Sequence, residues 1–186
     1  MNTQFSGFRT ALDEVSASSA GGAPFLICYG ITFLITGVLT FFLARETTAL
    51  LLMFQGAVAL PAALWLEKRM GKGRMSEDNP LKRLSAMLAI SQGLAIPFLI
   101  VLYNINPGQI PVAMAGLGEM HFLPYTWLHR TRLYTFLAVA VAIGAFTLVL
   151  SLQTSAYNII PLYVGIAYLV IAPLVLRQSQ ELLTAN

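Results

Sequence analysis

The chain has 186 residues, of which 57% are hydrophobic and only 10% charged, with a mean hydropathy of +0.73 and a formal net charge of +3. Soluble domains carry about a quarter charged residues, so the composition excludes an ordinary soluble fold and predicts one integral membrane domain. The modest charge argues against a nucleic-acid partner, and the single cysteine, Cys28, excludes an intrachain disulfide framework.

In chain order, residues 3–15 are too polar to cross a bilayer, yet Phe5, Phe8, Leu12 and Val15 recur on one helical stripe. That pattern predicts a short interfacial helix. Residues 16–23, SASSAGGA, form a small-residue hinge, and 24–44 is the first predicted span. It is longer than the 7–15 residue apolar core of a cleavable signal peptide, so it is read as a retained helix. Arg45 and Glu46 turn the chain into a second span, 47–66, which contains Gln55 and Pro61. A polar loop, 67–83, carries Lys68, Arg69, Lys72, Arg74, Lys82 and Arg83 against three acids, and its Gly71, Gly73, Asn79 and Pro80 are turn formers.

The third span, 84–103, contains Gln92 and Pro97, and a tight turn over 104–107 leads to the fourth, 110–128. Trp127 can anchor its end at the interface, where the basic turn 129–132 follows. The fifth span, 133–152, is the most uniformly apolar, and Ala138, Ala140, Ala142 and Gly144 offer a small-residue face for close helix contact. The sixth, 158–176, contains Pro161 and Pro173, and 177–186 reads as a short polar tail. With alternating spans, ten of the eleven Lys and Arg residues fall on one side and only Arg45 on the other. Basic residues in short loops favour the cytoplasm, so both termini are expected there. FQGAVALP at 54–61 and SQGLAIPF at 91–98 resemble each other, but they relate neighbouring antiparallel spans and read as shared helix-kink composition.

The candidate site lies among spans two, three and four. Glu119 is about nine residues from either end of its span, hence roughly 14 Å from each interface at about 1.5 Å per residue. A carboxyl at that depth costs roughly 2–4 kcal/mol on insertion scales and calls for partners, water or a role. Gln55 and Gln92 fall at comparable depth in their own spans, so the three side chains can form a midplane polar pocket that binds a small polar ligand or moves a proton. The bland alternative is a hydrogen-bonded clamp between helices. In an ideal helix Glu119 and His121 point about 200° apart and do not pair. Pro124 removes the N–H that would bond Met120, and Gly116 and Gly118 weaken the preceding turn, so a kink or break is predicted here. Tyr125 lies one turn beyond His121 and can pack against it or line the pocket.

Other chemistry is poorly supported. One Glu and one His cannot complete a metal site, with His129 at the far end of the span, so no metal is expected. Ser85, Ser91 and Ser151 have no local His and acid, Cys28 has no activating neighbour, and GKGR at 71–74 lacks phosphate-loop spacing. No cofactor is expected.

The segments NPLKRLSAMLAISQGLAIPF and GEMHFLPYTWLHRTRLY, within 79–134, resemble a family of small bacterial multi-pass membrane proteins classed as a domain of unknown function. The shared pattern is an Asn-Pro-Leu start, a Gln before a Pro, and a His-Phe-x-Pro-Tyr-x-Trp run. Here it falls on Asn79, Pro80, Leu81, Gln92, Pro97, His121, Phe122, Pro124, Tyr125 and Trp127. Glu119 stands where that pattern has Gly or Ala, which puts His121 level with it as a candidate. The resemblance implies a helical membrane fold and carries no biochemical role.

The expectation is therefore an all-α, six-transmembrane-helix bundle in a bacterial inner membrane, both termini cytoplasmic. The working function is a small-solute or proton-coupled transporter, or a membrane-embedded binding protein, with Glu119, His121, Gln55, Gln92 and Tyr125 as ligand-binding residues. A noncatalytic accessory subunit that packs against a larger membrane complex through the small-residue face of the fifth span is the rival, a lone homo-oligomer favouring the first reading, and an intramembrane enzyme comes third.

Overall fold

In a long apolar run every backbone amide and carbonyl must find its partner within the segment, which a helix achieves. The computed structural model describes residues 3–71 and 75–184 and is helical throughout, with no strand among the described residues. The helices are α1 (Thr3–Ser18), α2 (Ala23–Leu39), α3 (Arg45–Phe54), α4 (Gly56–Met70), α5 (Lys82–Ser91), α6 (Ile96–Ile105), α7 (Ile110–Met120), α8 (Phe122–Leu128), α9 (Leu133–Leu152) and α10 (Ala156–Thr184). Lys72, Gly73 and Arg74 of the polar loop lie outside the described residues, as does the side chain of Phe5.

Four helical stretches among the described residues are long and apolar enough to cross a membrane: Ala20–Leu39, Arg45–Met70, Lys82–Ile105 and Leu133–Glu181. The last is itself a hairpin. Gln153 takes φ +50° and closes α9, a 3-10 turn spans Gln153–Ser155, and α10 returns along α9. The predicted run 110–128 is not among the four; it is divided at His121 into α7 and α8.

The breaks trace to proline chemistry. Pro97 has no N–H for the carbonyl of Gly93 and its ring crowds that carbonyl, and the helix tightens into a 3-10 turn over Gln92–Ala95. Pro124 does the same to Met120, and the helix is interrupted at His121 while its backbone stays near αR. Both Gln-Gly pairs of the sequence thus mark helix interruptions, the first at Gln55 between α3 and α4.

The core is built where α2 lies along α10, with α9 and α7 behind α10 and α3–α4 against α2. Gly30 and Gly165 set the close approach of α2 to α10, since a Cβ on Gly165 would sit 2.8 Å from the Gly30 carbonyl oxygen. Gly144 similarly leaves room for the Tyr163 ring, whose hydroxyl donates to the Ala140 carbonyl at 2.7 Å. The small-residue face of the fifth predicted span therefore seats Tyr163 of α10.

Two terminal elements depart from expectation. The N-terminal helix runs to Ser18, and Ala11, Leu12 and Val15 are buried against Leu81 and Leu128. The apolar stripe covers the protein's own surface, where it was expected to lie on lipid. The polar tail is helical through Thr184: Arg177 and Glu181 pair at 2.9 Å one turn apart, and buried Ser179 donates to the Ser16 carbonyl at 3.0 Å. The linking loop is also shorter than predicted, because α4 continues to Met70 with Lys68 and Arg69 in its last turn, where cations suit the helix dipole.

Candidate functional site

Glu119 is the penultimate residue of α7, two residues before the interruption at His121, and is only 1% exposed. The hydroxyl of Tyr168, from the middle of α10, donates to its Oε1 at 2.7 Å. Tyr168 is held edge-on by Phe33 of α2 and Phe122 of α8, at ring distances of 5.8 and 5.5 Å. Three helices thus supply an aromatic wall around one carboxyl. The second oxygen, Oε2, is buried without a hydrogen-bond partner among the described residues. An unpaired buried polar atom costs about 1–3 kcal/mol, so the site holds an unmet demand for a donor.

Gln55 repeats the theme of a half-satisfied buried side chain. It is buried at the α3–α4 interruption, its Oε1 accepts from Thr32 Oγ1 at 2.8 Å, and its Nε2 has no partner among the described residues. Thr32 and Phe33 are consecutive on α2, the first bonded to Gln55 and the second bracing Tyr168. Among the described residues Glu119 Oε2 is thus an unused acceptor and Gln55 Nε2 an unused donor.

The other predicted residues are distributed differently. His121 is half-buried, its Nδ1 bonds the Gly118 carbonyl, and it shares no hydrogen bond with Glu119 among the described residues. It meets Tyr125 edge-on at 5.6 Å, a ring contact in place of a hydrogen bond. Tyr125 turns toward the end of the helix, stacking on His129 at 5.6 Å and 9°. Gln92 is half-exposed at the α5–α6 turn and hydrogen-bonds neither Gln55 nor Glu119 among the described residues. Glu119 is thus held from α10 and Gln55 from α2, with no hydrogen bond between them among the described residues; His121 and Tyr125 join the ring network of Phe122, which also contacts Tyr168, and Gln92 hydrogen-bonds none of them.

The ring network reaches the basic turn. His129 is 4% exposed, with Nδ1 unpartnered among the described residues, and packs 5.6 Å from Tyr134. Burial favours its neutral form and holds its pKa at about 4. Tyr134 donates to the Gly21 carbonyl at 2.5 Å, tying α9 to the hinge, where Gly21 and Gly22 take φ of +65° and +84°.

Tyr168 and Thr32 were missed by sequence reasoning. Tyr168 had a legible signal, a phenol near the middle of the last apolar run. Thr32 had none, since a threonine in a membrane helix usually bonds its own backbone, as Thr32 also does to the Tyr29 carbonyl at 2.9 Å. No three His, Cys, Asp or Glu side chains gather into a metal-binding group among the described residues.

The residues that carried the resemblance have structural work to do here. Asn79 Nδ2 donates to the Ala11 carbonyl and to Glu14 Oε2, at 3.0 and 2.9 Å, and its Oδ1 accepts from the Leu81 amide at 2.9 Å. Trp127 meets Phe8 with ring centroids 5.5 Å apart. The Asn-Pro-Leu start and the His-Phe-x-Pro-Tyr-x-Trp run thus both dock onto α1. Comparison with curated proteins and with solved structures gives no match. A family profile described as a family of unknown function (DUF7010) matches residues 8–178, nearly the whole chain, and the protein accordingly belongs to that family.

Proposed function

We propose that the protein is a six-span helical membrane protein of the bacterial inner membrane, both termini cytoplasmic, that carries a proton or a small polar solute through the centre around Glu119. The four apolar stretches, with the Leu133–Glu181 hairpin counted as two helices and α7–α8 as a broken one, give the six. The distribution of basic residues sets the orientation. The observation that carries the reading is the fully buried Glu119, held by Tyr168 on one oxygen and unpartnered on the other among the described residues, beside an interrupted helix. A helix clamp would be expected to satisfy both oxygens, whereas a site that takes up and releases a proton or donor leaves one available. Gln55 Nε2 supplies the complementary donor for a solute bearing an acceptor.

The test is proteoliposome proton flux, read by a trapped pH dye while a panel of small polar solutes is added outside. The wild type is expected to move protons with at least one solute, Glu119→Gln to lose the response at least tenfold, and Tyr168→Phe to weaken it. Equal flux in wild type and Glu119→Gln, or no response to any solute with the protein correctly inserted, rejects the reading. An accessory role in a larger membrane complex is favoured by one separate observation: the Lys82–Ile105 stretch is only 6% buried over its most apolar window, far less than the other three. A stoichiometric membrane partner recovered in mild detergent and lost when this face is altered would support it.

A further inference from the structure

Outside the Glu119 centre, the rim where α1 meets the end of α8 holds a cleft of about 480 Å³ walled by Phe8, Leu12 and Trp127 and lined by Arg9, Arg130 and Arg132. Arg130 pairs with Asp13 at 2.8 Å, while Arg9 and Arg132 are exposed at the cleft. Arg130 takes φ +52°, a left-handed conformation unusual outside glycine. Its amide bonds the Trp127 carbonyl at 3.2 Å and the Thr131 amide bonds the Thr126 carbonyl at 3.0 Å, so the turn is held. Backbone in a sparsely populated region clusters at ligand sites.

A second cleft, of about 540 Å³, shares Thr126 and Arg132 with the first and continues along α9 past Thr135, Phe136 and Val139. Phe136 and Val139 are 64% and 48% exposed. The hydroxyls of Thr126 and Thr135 satisfy each other at 2.8 Å, so the boundary between the clefts makes no polar demand of its own. Arg132 stands where a cationic hollow gives way to an apolar groove. A free phosphate would use only the first half of that arrangement, whereas a molecule with a charged head and a hydrocarbon tail uses both.

We propose that this composite cleft binds one anionic phospholipid, its phosphate between Arg9 and Arg132 and an acyl chain along Phe136 and Val139. Arg130, partly neutralised by Asp13, shapes the hollow, and the Phe8–Trp127 pair sits at headgroup level, where amphipathic rings settle. The site rests on the membrane placement proposed above and is independent of the Glu119 centre.

Native mass spectrometry of the full chain in detergent tests it, with phosphatidylglycerol and phosphatidylcholine of identical chains as probes. The wild type is expected to retain phosphatidylglycerol selectively. Arg9→Gln with Arg132→Gln should weaken that retention about thirtyfold, from roughly fivefold per guanidinium near a bilayer surface, whereas Lys82→Gln with Arg83→Gln, which removes equal charge outside the cleft, should change it less than twofold. Val139→Trp, which fills the groove, should weaken phosphatidylglycerol and leave the weaker binding of glycerol phosphate alone. The proposal is overturned if the lipids bind equally, if the control pair matters as much as the cleft pair, or if inorganic phosphate displaces phosphatidylglycerol as well as glycerol phosphate-bearing lipid does, which would mark a soluble-anion site. Should the arginine variants not fold, the lipid selectivity and phosphate competition of the wild type decide alone.

Discussion

His129 shows how one buried side chain ties stability to acidity. It lies in the turn after α8, packed between Tyr125 and Tyr134, and burial lowers its pKa from 6.5 to about 4. The unfolded chain therefore binds the proton more readily than the folded one between those values, so the stabilisation is fully present above about 6.5 and is lost as pH falls toward 4. Thermal unfolding of the detergent-solubilised protein should fall through this window, and His129→Phe, which keeps a ring in the stack, should flatten it. An unchanged slope in the variant would refute the assignment. Glu14 acts in a lower window. The side-chain hydrogen bond from Asn79, then those from Ser76, hold its pKa below 4.5, so its contribution is lost only as pH drops beneath that value.

At the scale of elements, the α2–α10 crossing decides whether the centre can form, because Phe33 and Tyr168 stand on those two helices. Gly165→Ala would place a methyl 2.8 Å from both the Gly30 carbonyl oxygen and Leu34 Cγ. Overpacking of this kind costs about 1–3 kcal/mol; the melting temperature should drop accordingly, and a variant as stable as the wild type would show that the helices are not in close contact there. This crossing was not legible beforehand. Gly30 and Gly165 are isolated glycines in apolar runs, and nothing local says which distant helix each will meet. Hydropathy located the apolar runs because lipid or core burial is a property of a segment, and the break at Pro124 was legible because a missing N–H is a local fact. The partner of Glu119 was not, since a hydrogen bond to Tyr168 depends on how α10 turns against α7. The same limit explains α1, whose stripe of Leu12 and Val15 is equally suited to lipid and to Leu81 and Leu128.

For the whole molecule, the proposed membrane placement puts most of the charge at one rim. The proposed cytoplasmic rim joins α1, the basic turn and the Asn79 loop through the Asp13–Arg130 pair and the Asn79–Glu14 hydrogen bond. The Glu119 centre lies deeper, closed by rings from α2, α8 and α10. Trp127 packs on Phe8 at that rim, and the carboxyl whose exchange is proposed lies in the helix just before the interruption at His121. The most direct measurement is infrared difference spectroscopy of the protein in liposomes, following the carboxyl C=O band while the medium is titrated and exchanged into deuterium oxide. The account predicts a band that is absent in Glu119→Gln, changes amplitude with the pH of the medium and shifts on deuteration. A Glu119 signal that ignores both pH and deuterium would mean a sealed structural clamp and contradict it.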